Sequence, residues 1–136
     1  MDLMKAMELA AKGMKAQGVR MRVISENIAN SDTTGKTPGS APYRRQIVTF
    51  KNELDRADKV SYVDVDKITS DRSDFTLKYD PSHPAADAKG YVKMPNVNPL
   101  LEIMDMREAQ RSYEANLGVI EVSRTMLMNT IDLLRG

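Results

Sequence analysis

The chain has no cysteine and no tryptophan, and only one histidine among its 136 residues. Without cysteine it can form no disulfide framework, no reactive thiolate and no cysteine-based metal site. Aromatic residues make up 5% of the sequence, and the apolar residues are concentrated towards the two ends. We therefore expect the middle of the chain to form only a small hydrophobic core. No run of about 18 apolar residues is present, so we expect no direct membrane insertion.

The first 18 residues also lack an uninterrupted apolar segment, because charged residues recur from Lys5 to Lys15. A cleaved signal peptide needs such a segment. We therefore expect the chain to be made in the cytoplasm and either to stay there or to leave by a route without a cleaved signal. Its formal net charge of +1 gives no reason to expect nucleic acid or an anionic membrane as a partner.

Residues that could perform chemistry are few. The carboxylates between Asp64 and Asp74 do not follow a calcium-loop spacing, because Thr69 and Phe75 stand where glycine and glutamate are needed. His83 lies between two prolines without a third metal ligand in view. No nucleophile with a base and no glycine-rich phosphate loop is evident. We predict no catalytic residue, no metal, no cofactor and no enzymatic activity.

A long helix is predicted at the C-terminal end, beginning at Asn98-Pro99, because Asn is a favoured N-cap and Pro a favoured first helical residue. One stripe along it repeats in steps of three and four: Ile103, Met106, Gln110, Tyr113, Leu117, Ile120, Arg124, Leu127, Ile131 and Leu134. A second stripe contains Ala115, Val119, Val122, Met126 and Leu133. A single packed face needs only one stripe. We therefore expect one side to pack on the chain itself and the other on a neighbouring molecule.

The first 30 residues show the same periodicity, with Leu3, Met7, Ala10, Met14, Gln17, Met21, Ile24 and Ile28 on one stripe. Gly13 and Gly18 each weaken a helix by about 1 kcal/mol relative to alanine. We expect a helix that is marginal alone and becomes ordered on its partner. Residues 1–30 carry five basic and three acidic side chains (+2) and residues 99–136 four and six (−2), so the two ends are weakly complementary.

Alternating patterns in the middle of the chain predict strands over residues 44–50, 60–69, 75–79 and 90–94. The predicted fold class is mainly α, with long N- and C-terminal helices that pair as a coiled coil and a small β-rich middle region. The predicted division is an N-terminal coiled-coil helix over residues 1–30, a loop and small β-rich domain over 31–97, and a C-terminal coiled-coil helix over 98–136. The two helices are expected to form one structural unit.

The terminal helices are also where we predict contacts between subunits. The candidate assembly residues are Leu3, Met7, Met14, Met21, Ile24, Ile28, Asn30, Tyr113, Asn116, Leu117, Ile120, Val122, Arg124, Met126, Leu127, Ile131 and Leu134. Arg124 is a charge inside the apolar stripe, and such a charge usually sets the register against a partner's acid.

Three segments of the sequence resemble the axial proteins of the bacterial flagellum. The first is Asn27-Ile28-Ala29-Asn30, followed by Thr33-Thr34-Gly35 and then by Pro42-Tyr43-Arg44-Arg45. The second is Asp80-Pro81-Ser82-His83-Pro84, with Gly90-Tyr91-Val92-Lys93-Met94-Pro95-Asn96-Val97-Asn98 after it. The third is Arg111-Ser112-Tyr113-Glu114-Ala115-Asn116. The interval between Gly35 and Tyr43 is similar to that in the proximal-rod members of this family.

The resemblance implies a structural subunit of the proximal rod in the flagellar basal body. Such a subunit would assemble helically through its terminal helices and transmit torque across the periplasm from motor to hook. Its partners would be other copies of itself, other rod proteins and the flagellar type III export apparatus. The alternatives are a paralogous rod subunit and a helical adaptor or chaperone-like protein of a type III export system, which would form a closed dimer or a one-to-one complex.

Overall fold

The computed structural model describes residues 2–136, and within that range it contains two helices and four strands. They are α1 Leu3–Ala29, β1 Gln46–Asp55, β2 Val60–Ser70, β3 Thr76–Tyr79, β4 Tyr91–Met94 and α2 Pro99–Arg135. The start of α2 follows from its cap, since Asn98 Oδ1 accepts the backbone N–H of Leu100 at 3.1 Å. Neither helix in the described range is apolar enough over sufficient length to cross a membrane.

The predicted mainly α fold class is wrong. Helices hold 47% of the residues, but strands hold a further 21%, in two antiparallel sheets, β1–β2 and β3–β4. β1 and β2 contain 10 and 11 residues, about twice the usual strand length. No residue of either strand is buried. This two-stranded ribbon therefore needs no strict apolar alternation, and the sequence pattern of residues 51–75 understated it.

The predicted pairing of the terminal helices as a coiled coil is also wrong. A coiled coil buries its apolar seam, whereas Leu117 of the predicted seam is exposed and Tyr113, Ile120 and Leu127 are only half-buried. The stripe of α2 that is turned inward has seven-residue spacing but small or polar members: Glu102, Ala109, Asn116 and Ser123. Small side chains allow close backbone approach, so they occupy the inward position in place of the larger apolar side chains.

The described chain forms two compact units. The first unit contains residues 2–21, 49–67 and 107–136, and the second contains residues 22–48 and 68–106. In the first unit α1 and α2 run antiparallel, because Gly13 lies against Asn116 while Arg20 pairs with Glu108 at 3.5 Å. Ala10, Ala16 and Ala109 are buried there. A Cβ on Gly13 would come within 2.8 Å of Asn116 Nδ2, so this glycine permits the close approach of the helices.

The tip of the β1–β2 hairpin packs on the beginning of α1 within the first unit. Asp55 Oδ1 accepts the backbone N–H of Ala57 at 2.9 Å, and Lys59 closes the turn with a φ of 55°. Lys5 forms an ion pair with the carboxylate of Asp58. Further along, Lys12 Nζ lies 3.5 Å from the centroid of the Tyr62 ring, which is cation–π geometry.

The β3–β4 hairpin belongs to the second unit. Tyr79 pairs with Tyr91, and their rings meet edge to face with centroids 5.3 Å apart. Val92 is buried beside them. In the connecting loop, Asp87 Oδ1 accepts backbone N–H groups of Lys89 at 2.8 Å and Tyr91 at 3.0 Å. These hydrogen bonds hold the pKa of the Asp87 carboxyl below its usual value, and the one from Tyr91 has the largest effect.

Candidate assembly site

A buried polar network lies where the end of α1, the start of β1 and the start of α2 meet in the second unit. Asn27 is 1% exposed, and its amide bridges to β1: Nδ2 donates to the backbone O of Gln46 and Oδ1 accepts the backbone N–H of Gln46, each at 2.9 Å. Oδ1 also accepts from Tyr43 OH at 2.8 Å. One side chain thus forms hydrogen bonds with both backbone groups of the first residue of β1.

Glu102 is the other centre of this network. It is 1% exposed, it accepts from Asn27 Nδ2 at 3.4 Å, and Arg45 Nε donates to its carboxylate. Arg45 also reaches Asp71 at 3.3 Å and Asp105 at 3.7 Å. Burial works against the Arg45 charge, but the bonds to Glu102 and Asp71 outweigh it and raise the Arg45 pKa. A buried charge with several partners fixes geometry more than it adds stability.

The turn after β2 is held by residues from two of the sequence segments singled out above. Asn96 Oδ1 accepts the backbone N–H of Arg45 at 2.8 Å, and its Nδ2 donates to the backbone O of Asp71 at 3.0 Å. Arg44 donates to the same Asp71 oxygen at 2.8 Å and to the backbone O of Ser73 at 3.0 Å. Hydrogen bonds from Ser73, followed by the Arg45 charge, lower the Asp71 pKa.

Hydrogen bonds also hold the loop after α1. Thr33 Oγ1 donates to Asn30 Oδ1 at 3.1 Å, and the Thr33 carbonyl accepts the backbone N–H of Tyr43 at 2.9 Å. His83 Nδ1 accepts the backbone N–H of Ala85 at 3.0 Å. His83 Nε2 lies 3.2 Å from Thr34 Oγ1, so both ring nitrogens are engaged in the fold. Residues 2–136 contain no group of three His, Cys, Asp or Glu side chains placed to hold a metal ion.

The second half of α2 exposes large apolar side chains on more than one side. Val119, Val122, Met126 and Leu133 share one side at helical spacing, and this exposed apolar face is the strongest candidate assembly surface. Other exposed apolar side chains lie on the remaining sides of the helix: Leu117, Met128, Ile131 and Leu134. Val122 is 60% and Leu133 83% exposed. Contiguous exposed apolar surface of this kind marks interaction sites in soluble proteins.

The predicted assembly residues fall into three groups by burial. Ile24 is buried and belongs to the chain's own core. The half-buried ones are Leu3, Met7, Met14, Met21, Ile28, Asn30, Tyr113, Asn116, Ile120 and Leu127. The exposed ones are Leu117, Val122, Arg124, Met126, Ile131 and Leu134. The candidate residues did not include Val119 and Leu133, although both lie on the second apolar stripe, and they did not include Met128 or Glu102. Glu102 stands in the sequence between two pairs of apolar residues that are exposed, so apolar spacing gives no signal for its burial.

Two models of known protein families match parts of this chain. Residues 7–35 match the family described as "Flagella basal body rod protein", and residues 88–133 match "Flagellar basal body rod FlgEFG protein C-terminal". These two ranges cover most of both helices and include Asn27 and Glu102 of the polar network.

Whole-chain relatives agree with the family matches, and all those below are named flagellar basal-body rod protein FlgC. The protein of Agrobacterium fabrum is 54% identical over 98% of this chain and 96% of its own length. That of Bacillus subtilis is 37% identical over 98% and 99%, and that of Salmonella typhimurium 35% over 98% of each. Proteins of this family are structural and not enzymes. The chain therefore belongs to the FlgC family of flagellar basal-body rod proteins and is a structural rod subunit.

Proposed function

We propose that this rod subunit belongs to the proximal part of the rod and builds a helical array through its terminal helices. The observation that carries the proposal is the exposed apolar face on the second half of α2. A lone chain leaves Val122, Met126 and Leu133 in water, where burial would contribute about 25 cal/mol per Å² of apolar surface. Assembly with other rod proteins supplies the surface that covers them.

Torque transmission is the mechanical consequence that we infer for such an array. Many copies of one helix contact share a load that no single contact could bear. The buried Asn27–Arg45–Glu102 network supports this role, because it fixes the end of α1 to the starts of β1 and α2 within the second unit. We further propose that residues 1–30 and 98–136 form the assembling part and residues 31–97 the outer part of the subunit.

The chain is placed in the flagellar basal body by its family. We propose in addition that it spans the periplasm as part of the rod and leaves the cytoplasm through the flagellar type III export apparatus without a cleaved signal. The charged residues among the first 18 support this route, since they leave no apolar signal segment.

A single charge on the exposed apolar face tests the assembly role. We expect Val122→Asp to abolish incorporation into basal bodies and swimming in a strain that lacks the native chain, because a desolvated carboxylate would face the neighbouring subunit. The monomer should keep its helical circular dichroism, since Val122 is 60% exposed.

Thr125→Asp is the matched control for this test. Thr125 is exposed on the polar side of the same helix, where its hydroxyl donates to the backbone O of Glu121 at 3.0 Å. Thr125→Asp adds the same charge about one turn from Val122 and should leave swimming intact. Normal basal bodies with Val122→Asp would contradict the proposal.

A further inference from the structure

The turn over residues 80–86 contains the chain's only histidine, His83, and has no part in the exposed apolar face. Two hydrogen bonds fold its backbone: His83 N–H donates to the Asp80 carbonyl at 3.2 Å, and Ala86 N–H donates to the His83 carbonyl at 3.0 Å. Pro81 and Pro84 restrict the chain on either side of the histidine. The half-buried ring of His83 therefore starts from a backbone that is held in place.

The hydrogen bonds of the His83 ring require the ring to be neutral. Nδ1 accepts the backbone N–H of Ala85 at 3.0 Å, so this nitrogen carries no proton. The proton of the neutral ring is then on Nε2, which lies 3.2 Å from Thr34 Oγ1 and donates to it. One ring thus joins the turn over residues 80–86 to the loop after α1.

A protonated ring cannot make the same contacts. An imidazolium carries an N–H on both nitrogens, so the Nδ1–H of His83 would face the N–H of Ala85. Ala85 is buried, and a buried donor without an acceptor is unfavourable. Protonation of His83 therefore opposes the ring position that the structure shows.

A cavity of about 220 Å³ beside the ring offers the protonated form a second position. Three charged side chains line it together with His83: Asp32 from the loop after α1, Lys78 from β3 and Asp80 from the turn itself. The remaining lining residues do not titrate. Two carboxylates attract an imidazolium and one ammonium repels it, so the charges around the cavity favour the protonated ring there.

We propose that His83 is a pH-operated clasp between the loop after α1 and the turn over residues 80–86. The clasp is closed while the ring is neutral, and it opens when the ring takes a proton from solvent and turns towards Asp32 and Asp80. Its contribution to local stability is therefore present at high pH and is lost as pH falls. The proposal goes beyond the rod role and does not depend on it.

Hydrogen exchange of the native full chain measures the clasp directly. We would record exchange of the Ala85 amide at about pH 8 and about pH 5, which bracket the range in which histidine changes charge. Each rate is divided by that of an unstructured peptide at the same pH. We expect the protection of Ala85 to be about two- to tenfold lower at the lower pH, the factor that corresponds to one hydrogen bond. The pKa of Asp87 lies below its usual value, so this neighbouring carboxyl stays ionised over the range.

His83→Asn is the matched control, because its side-chain oxygen can accept the Ala85 N–H but does not titrate. The protection of Ala85 in this variant should be the same at both pH values.

Two exchange results would overturn the proposal: native protection that does not change with pH, and an equal loss of protection in His83→Asn. A nitrogen NMR spectrum of the single imidazole offers a third measurement, which needs no variant. A proton on Nδ1 at about pH 8 would also overturn the proposal, since Nδ1 could then not accept from Ala85. None of these results would bear on the rod role, which does not involve this histidine.

Discussion

At the scale of single residues, side-chain amides and carboxylates hold segments of the backbone by hydrogen bonds. Asn27, which is buried, hydrogen-bonds both backbone groups of Gln46, and the exposed Asp87 accepts two N–H groups of the loop before β4. A buried polar group that loses its hydrogen-bond partner costs about 1–3 kcal/mol. We therefore expect a replacement of Asn27 to be destabilising although Asn27 performs no chemistry.

Asp87 gives a pH prediction at this scale. Its folded pKa is depressed, so the stability that it contributes is complete above the unfolded value of about 3.9 and is lost as pH falls through the lower folded pKa. We expect the urea midpoint of the native chain to fall below about pH 4, and part of that fall to come from Asp87. Asp87→Asn keeps an acceptor oxygen but cannot titrate, so its midpoint should fall less steeply.

Asp87→Ala serves as the control, because it removes the acceptor altogether. It should lose stability already at neutral pH, where Asp87→Asn retains most of it. If the urea midpoint of Asp87→Asn falls with decreasing pH as steeply as that of the native chain, Asp87 does not contribute to this pH dependence.

At the scale of elements, helix glycines separate into those that serve packing and those that do not. Gly13 stands where Asn116 Nδ2 would be 2.8 Å from an added Cβ, whereas Gly18 has no atom within 4 Å of that position. Sequence reasoning counted both as weakening α1 equally. The packing of α2 distinguishes them.

These two glycines form a matched pair for mutation. We expect Gly18→Ala to stabilise the chain by up to about 1 kcal/mol through helix propensity. Gly13→Ala has the same propensity gain but must displace the Asn116 amide, which donates to the backbone O of Ser112 at 3.1 Å. Chemical denaturation should therefore rank Gly18→Ala above Gly13→Ala, and equal gains would contradict the close-packed helix contact.

At the scale of the whole molecule, an exposed apolar helix face that packs on a different surface of the neighbouring copy leads to open-ended association. The adaptor or chaperone-like alternative leads to a closed complex of fixed size. The two differ in how mass depends on concentration, since an open polymer keeps growing and a closed dimer reaches a plateau.

Sedimentation over a concentration series measures this directly. We expect the average mass to rise without a plateau and to persist in about 1 M salt, where the Debye length is about 3 Å and ion pairs at the surface are screened. Cooling should weaken the association, as apolar burial predicts. A plateau at twice the monomer mass, or dissociation by salt, would favour the closed complex.

The sequence by itself determined the two long helices, the cap at Asn98, the absence of a thiol and the family, because each depends on local residue type and spacing. Asn27, Tyr43 and Arg45 were also visible as part of a motif. Their roles were not, because hydrogen-bond partners between 16 and 75 residues away leave no mark in local periodicity.

Only the tertiary structure decided which stripe of α2 is buried. Apolar periodicity favoured the stripe with Leu117 and Leu134, but the approach of α1 selected the small stripe with Ala109 and Ser123, since close-packed backbones leave no room for large side chains. The structure also shows that β1 continues to Asp55, beyond the predicted strand over residues 44–50. Pairing of backbone groups between β1 and β2 does not depend on an apolar pattern, so the sequence did not reveal this extension. Spacing reveals which residues share a helix face, and packing determines what that face meets.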